Sequence, residues 1–122
     1  MVGIMYASES TEKTDMYLKE LAKILKENDY LGVKYDGWLQ YVSVNNDIFV
    51  YGIGLNSSSV GRSYRNVRYL VDDIGVMQEK RKINKDTDLK IQYFRTLIPI
   101  YTSYISKCDV LKVIEKELRG AE

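Results

Sequence analysis

Ala7-Ser8-Glu9-Ser10-Thr11-Glu12-Lys13-Thr14 separates an apolar run, Val2 to Tyr6, from a segment of helical periodicity that begins near Asp15. The run Val2-Gly3-Ile4-Met5-Tyr6 has the length and composition of a short buried strand. From Asp15 to Asn28, residues Tyr17, Leu18, Leu21, Ile24 and Leu25 fall on one helical stripe, with Lys19, Glu20, Lys23 and Lys26 outside it. Glu12 and Asp15 suit the positive end of the helix dipole, and Asn28-Asp29 supplies a stop. A strand, a tight loop and a helix in immediate succession open an α/β fold.

The loop between them has a chemistry of its own. In the pattern G-x-x-x-x-G-K-[ST], backbone N–H groups cradle phosphate oxygens while the lysine and hydroxyl reach further phosphates and a metal ion. Lys13-Thr14 matches its end, but Ala7 and Glu12 stand where the glycines belong. Glu12 sets a Cβ and a carboxylate where bare N–H groups should face an anion. The competing reading of Lys13-Thr14 is an ordinary helix N-terminus with a solvated lysine.

Further along, Leu31 to Tyr35 and Trp38 to Val44 read as strands about an Asp36-Gly37 turn, with Trp38 expected as a core anchor and, alternatively, as a stacking platform. Asn45-Asn46 between Tyr41–Val44 and Asp47–Tyr51 is a hairpin signal. Gly52, Gly54 and Asn56 to Ser59 predict a mobile loop reaching Gly61. Val67 to Val71 is a further strand running into Asp72-Asp73, and Gly75 to Lys85 is polar and basic, a short helix and a turn. From Leu89, apolar residues Ile91, Phe94, Ile98, Tyr101, Ile105 and Cys108 recur at spacings of three and four, which predicts a narrow-seamed helix kinked or broken at Pro99. Asp109 to Arg119 is a second helical stretch.

These elements predict a single domain over residues 1–122: an α/β portion over 1–76 with a sheet of about five strands, and a helical segment over 77–122. An α+β arrangement with an antiparallel meander is the alternative, because the Asn45-Asn46 hairpin is antiparallel by necessity. The Ile91–Cys108 seam packs on its own sheet or, alternatively, forms a homodimer or partner contact, with Cys108 a small buried hydrophobe.

Composition narrows the chemistry. The chain has 122 residues, 45% hydrophobic and 29% charged, with a net charge of +1 that gives no global field for nucleic acid or an anionic membrane. No apolar run approaches the ~18 residues of a membrane span, and the N-terminus has no signal-peptide core. With no histidine, Ser-His-Asp triads, Cys-His dyads and the usual His-containing zinc sites are excluded. One cysteine excludes an internal disulfide and fits a reducing, cytoplasmic setting. Eleven tyrosines against two phenylalanines point to rings with one wet end, at the core edge or on a binding surface.

The order of pieces resembles the front half of a P-loop NTPase, and most the ATPase part of phage large terminases, over residues 2 to about 76. Ile48 to Gly54 is similar to the family's glycine-containing strand, Ser57-Ser58-Ser59-Val60-Gly61-Arg62 to its loop, and Tyr69-Leu70-Val71-Asp72-Asp73 to its acid-ended strand. The resemblance implies a Mg nucleotide held by Lys13 on the β- and γ-phosphates, the Thr14 hydroxyl on Mg²⁺, Asp72 on the same ion through water, and Asp73 in place of the water-polarising glutamate. With the glycines replaced and aspartate one methylene shorter than glutamate, binding without hydrolysis is the expectation, and no residue is assigned as catalytic. Ser8-x-Ser10-Thr11-x-Lys13 is also similar to the FMN-phosphate loop of flavodoxin-like proteins.

A second functional class competes. Arg62, Arg65 and Arg68 with Tyr64 and Tyr69 form a basic, aromatic segment that suits a nucleic acid or protein partner, or else a solvated face. On that reading the chain is a non-enzymatic phage or mobile-element accessory protein acting through its Arg/Tyr face and C-terminal helices.

Overall fold

Val2 to Tyr6 becomes the centre of a sheet, as its unbroken apolar character requires. The structure, a computed structural model, describes residues 2–55, 67–72, 89, 92, 100–103 and 107–120. In chain order the elements are β1 (Val2–Ser8), α1 (Thr11–Glu27), β2 (Val33–Asp36), β3 (Tyr41–Val44), β4 (Ile48–Gly54), β5 (Val67–Asp72), β6 (Ile100–Ser103) and α2 (Lys107–Gly120). They build a six-stranded sheet of order β2-β3-β4-β1-β5-β6. β1 runs parallel to both β4 and β5, and β6 runs parallel to β5, whereas β2, β3 and β4 form an antiparallel meander. The class is α/β, with the meander confined to one side of a mixed sheet.

Alternation along the strands sorts the two faces. Ile4 and Tyr6 of β1, Val42 and Val44 of β3, Ile48 and Val50 of β4, and Tyr69 and Val71 of β5 join one buried cluster with Leu18, Leu21 and Leu25 of α1 and Val110 and Ile114 of α2. Both helices therefore cover the same face. Met5, Ala7, Ile53 and Leu70 alternate onto the other face and are also buried. Tyr6 and Tyr17 stack at 3.8 Å between centroids, tying α1 to the strand that precedes it.

The helix begins earlier than its apolar periodicity. Ser10 has extended backbone, and its hydroxyl accepts from the Lys13 N–H at 3.3 Å, so α1 starts at Thr11 and not near Asp15. Most of the segment expected to be a loop is strand end or first helical turn, which leaves Glu9 and Ser10 as the whole connection. At the other end Asn28 caps the helix, with its side-chain amide on the Ile24 carbonyl at 2.7 Å, and Asp29 turns the chain at φ 62°. The β3–β4 hairpin turns on Asn45 and Asn46, both at φ 56°, where asparagine is tolerated better than most residues.

Three further expectations change. Gly52 and Gly54 belong to β4, not to a loop; the remainder of that loop, from Asn56 to Gly61, lies outside the described residues, as does Gly75 to Lys85. The seam from Ile91 to Cys108 is not one helix: after Pro99 the chain enters β6, and α2 starts at Lys107. Proline breaks the helical ladder, and Ile100-Tyr101-Thr102 is the β-branched and aromatic composition that favours a strand. Residues 77–122 are therefore not purely helical, and Ile91–Cys108 does not form one continuous helix. Trp38 lies in the turn between β2 and β3, not in a strand.

Gly54 locks the α1 start. A Cβ at that position would overlap the Thr11 backbone, so the end of β4 abuts the head of the helix. Gly54→Ala should destabilise the fold by ~1–3 kcal/mol, as other overpacking substitutions do. Urea unfolding checks this, and a wild-type midpoint would contradict the contact.

Candidate functional site

Two regions concentrate the sequence-derived candidates and the exposed apolar side chains. The first is the carboxyl end of β1. This central strand lies between β4 and β5; the chain leaves it through α1 for β2, β3 and β4 on one side and then returns to β5 on the other, the kind of switch point where open α/β sheets bind ligands. Ala7 stands opposite Asp72 in the parallel β1–β5 ladder, so the backbone of Asp72 reaches the same sheet end as Lys13 and Thr14. Asp73 lies outside the described residues.

The side chains there are already engaged. The Lys13 ammonium pairs with Glu9, an exposed contact worth ~0.5 kcal/mol that an anion could displace. Thr14 is different: it is 0% exposed, donates its hydroxyl to the Thr11 carbonyl at 2.9 Å, and lies 3.2 Å from Gln40 Oε1. The Lys13 N–H goes to Ser10 Oγ, the Thr14 N–H to the Ser10 carbonyl at 3.2 Å, and Gly54 crowds the Thr11 N–H. Glu9 and Glu12 outweigh Lys13 in charge. The head of α1 is a self-capped junction with little left to offer a phosphate.

The second region is the β2 edge. β2 ends the sheet among the described residues, and it is bracketed by Leu31 (78% exposed), Trp38 (92%) and Leu39 (42%). The turn that carries Trp38 is tied down. Asp36 Oδ1 accepts from the N–H groups of Trp38 at 2.9 Å and Leu39 at 2.8 Å. The Gln40 side-chain amide donates to the Gly37 carbonyl at 3.0 Å, and the Gln40 carbonyl accepts from Gly52 N–H at 2.9 Å. Trp38 is thus a large exposed ring on a fixed backbone. The sequence shows the Asp36-Gly37 turn, and of its two readings for Trp38 the core anchor fails while an exposed ring, as a stacking platform needs, is what the structure has; Leu31 and Leu39 carried no signal that separated them from core residues.

Of the proposed arginine–tyrosine surface, Arg62, Tyr64 and Arg65 lie outside the described residues. Arg68 is exposed on β5, and its neighbour Tyr69 is buried with its hydroxyl donating to Glu117 of α2. Tyr30 donates likewise to Glu115 at 3.4 Å, and Tyr35 to Asp15 of α1. Three tyrosines thus bridge strands or loops to helix carboxylates, the wet-end use expected at a core edge. Burial, reinforced by the Asp15 carboxylate, pushes the Tyr35 phenol up to about 12. The Tyr35 hydroxyl, helped by Lys19 and Gln40, holds the Asp15 carboxyl below the usual 3.8.

Scans of protein-family models, curated proteins and solved structures return no match to this chain. Among the described residues no helix is long and apolar enough to cross a membrane.

The Tyr35–Asp15 bond fixes a pH dependence. Raised phenol means stability that is complete below pH 10 and lost as pH rises from 10 through about 12; lowered carboxyl means stability present above pH 3.8 and lost as pH falls below it. Tyr35→Phe should cost ~1 kcal/mol at neutral pH and flatten both limbs of a denaturation-midpoint profile. A profile unchanged by the substitution would contradict this bond.

Proposed function

We propose that this protein acts by binding a partner macromolecule through the β2 edge of its sheet, as a small non-enzymatic accessory factor. The observation that carries this reading is Trp38, 92% exposed on a turn held by Asp36 and Gln40 and flanked by Leu31 and Leu39. A large aromatic side chain on a pre-organised backbone loses little freedom on docking, which is why tryptophan dominates interface hot spots. A sheet edge that is unpaired among the described residues and has apolar neighbours is the kind of surface that proteins otherwise protect.

One geometric fact favours a second reading, a P-loop-like phosphate or nucleotide site. β1 and β5 are adjacent, so the Asp72 backbone and the head of α1 lie at the same end of the sheet, at a switch point. On this reading Lys13 would leave Glu9 for the ligand.

Affinity capture from cell extract with three baits separates the two. The partner retained by wild type should also be retained by Lys13→Ala and fall roughly 30-fold with Trp38→Ser, the loss of an anchor worth ~2 kcal/mol. Capture indifferent to Trp38→Ser, together with an ATP-induced rise in thermal stability that Lys13→Ala abolishes, would move the function to the head of α1.

A further inference from the structure

An open groove of about 450 Å³ runs between α1 and β2, lined by Lys19, Ala22, Lys23, Lys26, Glu27 and Tyr35. We infer that this groove and the β2 edge, which is unpaired among the described residues, together receive an extended acidic segment of a partner protein, added beside β2. The inference rests on the β2-edge function proposed above and names the chemistry of its partner.

The groove has a fixed apolar floor and a basic wall. Ala22 and the Tyr35 ring form the floor, and the ring is held because its hydroxyl is bonded to Asp15. Lys19 is drawn to the same carboxylate at 3.1 Å, whereas Lys23 and Lys26 have no ion pair among the described residues. With Lys19 offset by Asp15, Lys23 and Lys26 against the Glu27 carboxylate still leave the lining positive, so an occupant that neutralises it must bring carboxylates or other anions.

The sheet edge decides between anions. A strand edge presents both N–H donors and C=O acceptors, and an extended peptide backbone satisfies both, whereas a phosphodiester chain brings only acceptors along its backbone. Spacing agrees. Lysines four and three residues apart on a helix are ~6 Å and ~4.5 Å apart along its axis, and same-face side chains of an added strand are ~6.8 Å apart. Tyr35 shows that the α1-facing side of β2 looks into the groove, so alternate side chains of a strand beside β2 would meet the lysine wall. Among the described residues, the edge strands of another copy of this chain do not supply the carboxylates in that pattern. Its two described edge strands read Val33-Lys34-Tyr35-Asp36 and Ile100-Tyr101-Thr102-Ser103.

The test is a titration of the ¹⁵N-labelled full chain with the capped peptide Thr-Glu-Val-Glu-Val-Glu-Thr, followed by amide and indole chemical shifts. Shifts across Lys19–Glu27 and Val33–Asp36, with an affinity that falls at least tenfold in the Lys23→Glu/Lys26→Glu variant and with the Gln-for-Glu peptide, are the expected result. Both lysines are exposed, so the variant folds, and its unperturbed spectrum verifies this. Equal binding by the Gln peptide or by the variant overturns the acidic-segment assignment, as does the absence of shifts at millimolar peptide. Shifts confined to the Trp38 indole also overturn it, while leaving the β2 edge as the partner-facing surface.

Discussion

The docking of α1 onto β1 and β4 is the contact from which the other features follow. The helix lies close because β4 has Gly52 where Leu18 and Thr14 arrive; a Cβ there would sit 2.9 Å from Leu18 Cδ1 and 3.1 Å from Thr14 Cβ. Leu18, Leu21 and Leu25 are fully buried in this interface, and each such side chain contributes on the order of 1.5–3 kcal/mol. The register set by Gly52 brings the head of the helix onto Gly54 and turns Thr14 into the core. It also leaves the Lys19–Lys23–Lys26 flank beside β2.

One packing decision therefore closes one surface and leaves another open. At the carboxyl end of β1, helix amides that would otherwise meet an anion are taken by Ser10 or crowded by Gly54. At the β2 edge, the Asp36 carboxylate accepting from Trp38 N–H and the Gln40 amide donating to the Gly37 carbonyl stiffen a turn whose indole stands in water. On the proposed reading the protein works by recognition at the second surface, while the lysine and hydroxyl at the switch point are held by Glu9 and Thr11.

Much of this was legible in the residues. The stripe Tyr17–Leu25 gave the helix, Asn45-Asn46 the hairpin, and Val67 to Val71 the fifth strand, because each has a local cause. The start of α1 was hidden because Thr11 to Thr14 lie before the apolar stripe begins, and only the Ser10 cap marks the true boundary. β6 was hidden because Ile98, Tyr101 and Ile105 keep helical spacing by coincidence across Pro99. Trp38 was misplaced because size and hydrophobicity say nothing about which side of a turn faces solvent. Which tyrosine finds which carboxylate is a matter of tertiary contact: Tyr69 and Glu117 are far apart in sequence and meet only when α2 folds back on the sheet. Lysine spacing at 19, 23 and 26 was visible as an outer helix face, but the groove appears only once β2 lies beside it.

The chain has a single tryptophan, which makes the central claim directly measurable in the free protein. Steady-state emission and acrylamide quenching of Trp38 should match those of tryptophanamide in water, in wild type and Lys13→Ala alike. A blue-shifted emission protected from acrylamide would place the indole inside the protein and contradict the assignment of the β2 edge as its partner-facing surface.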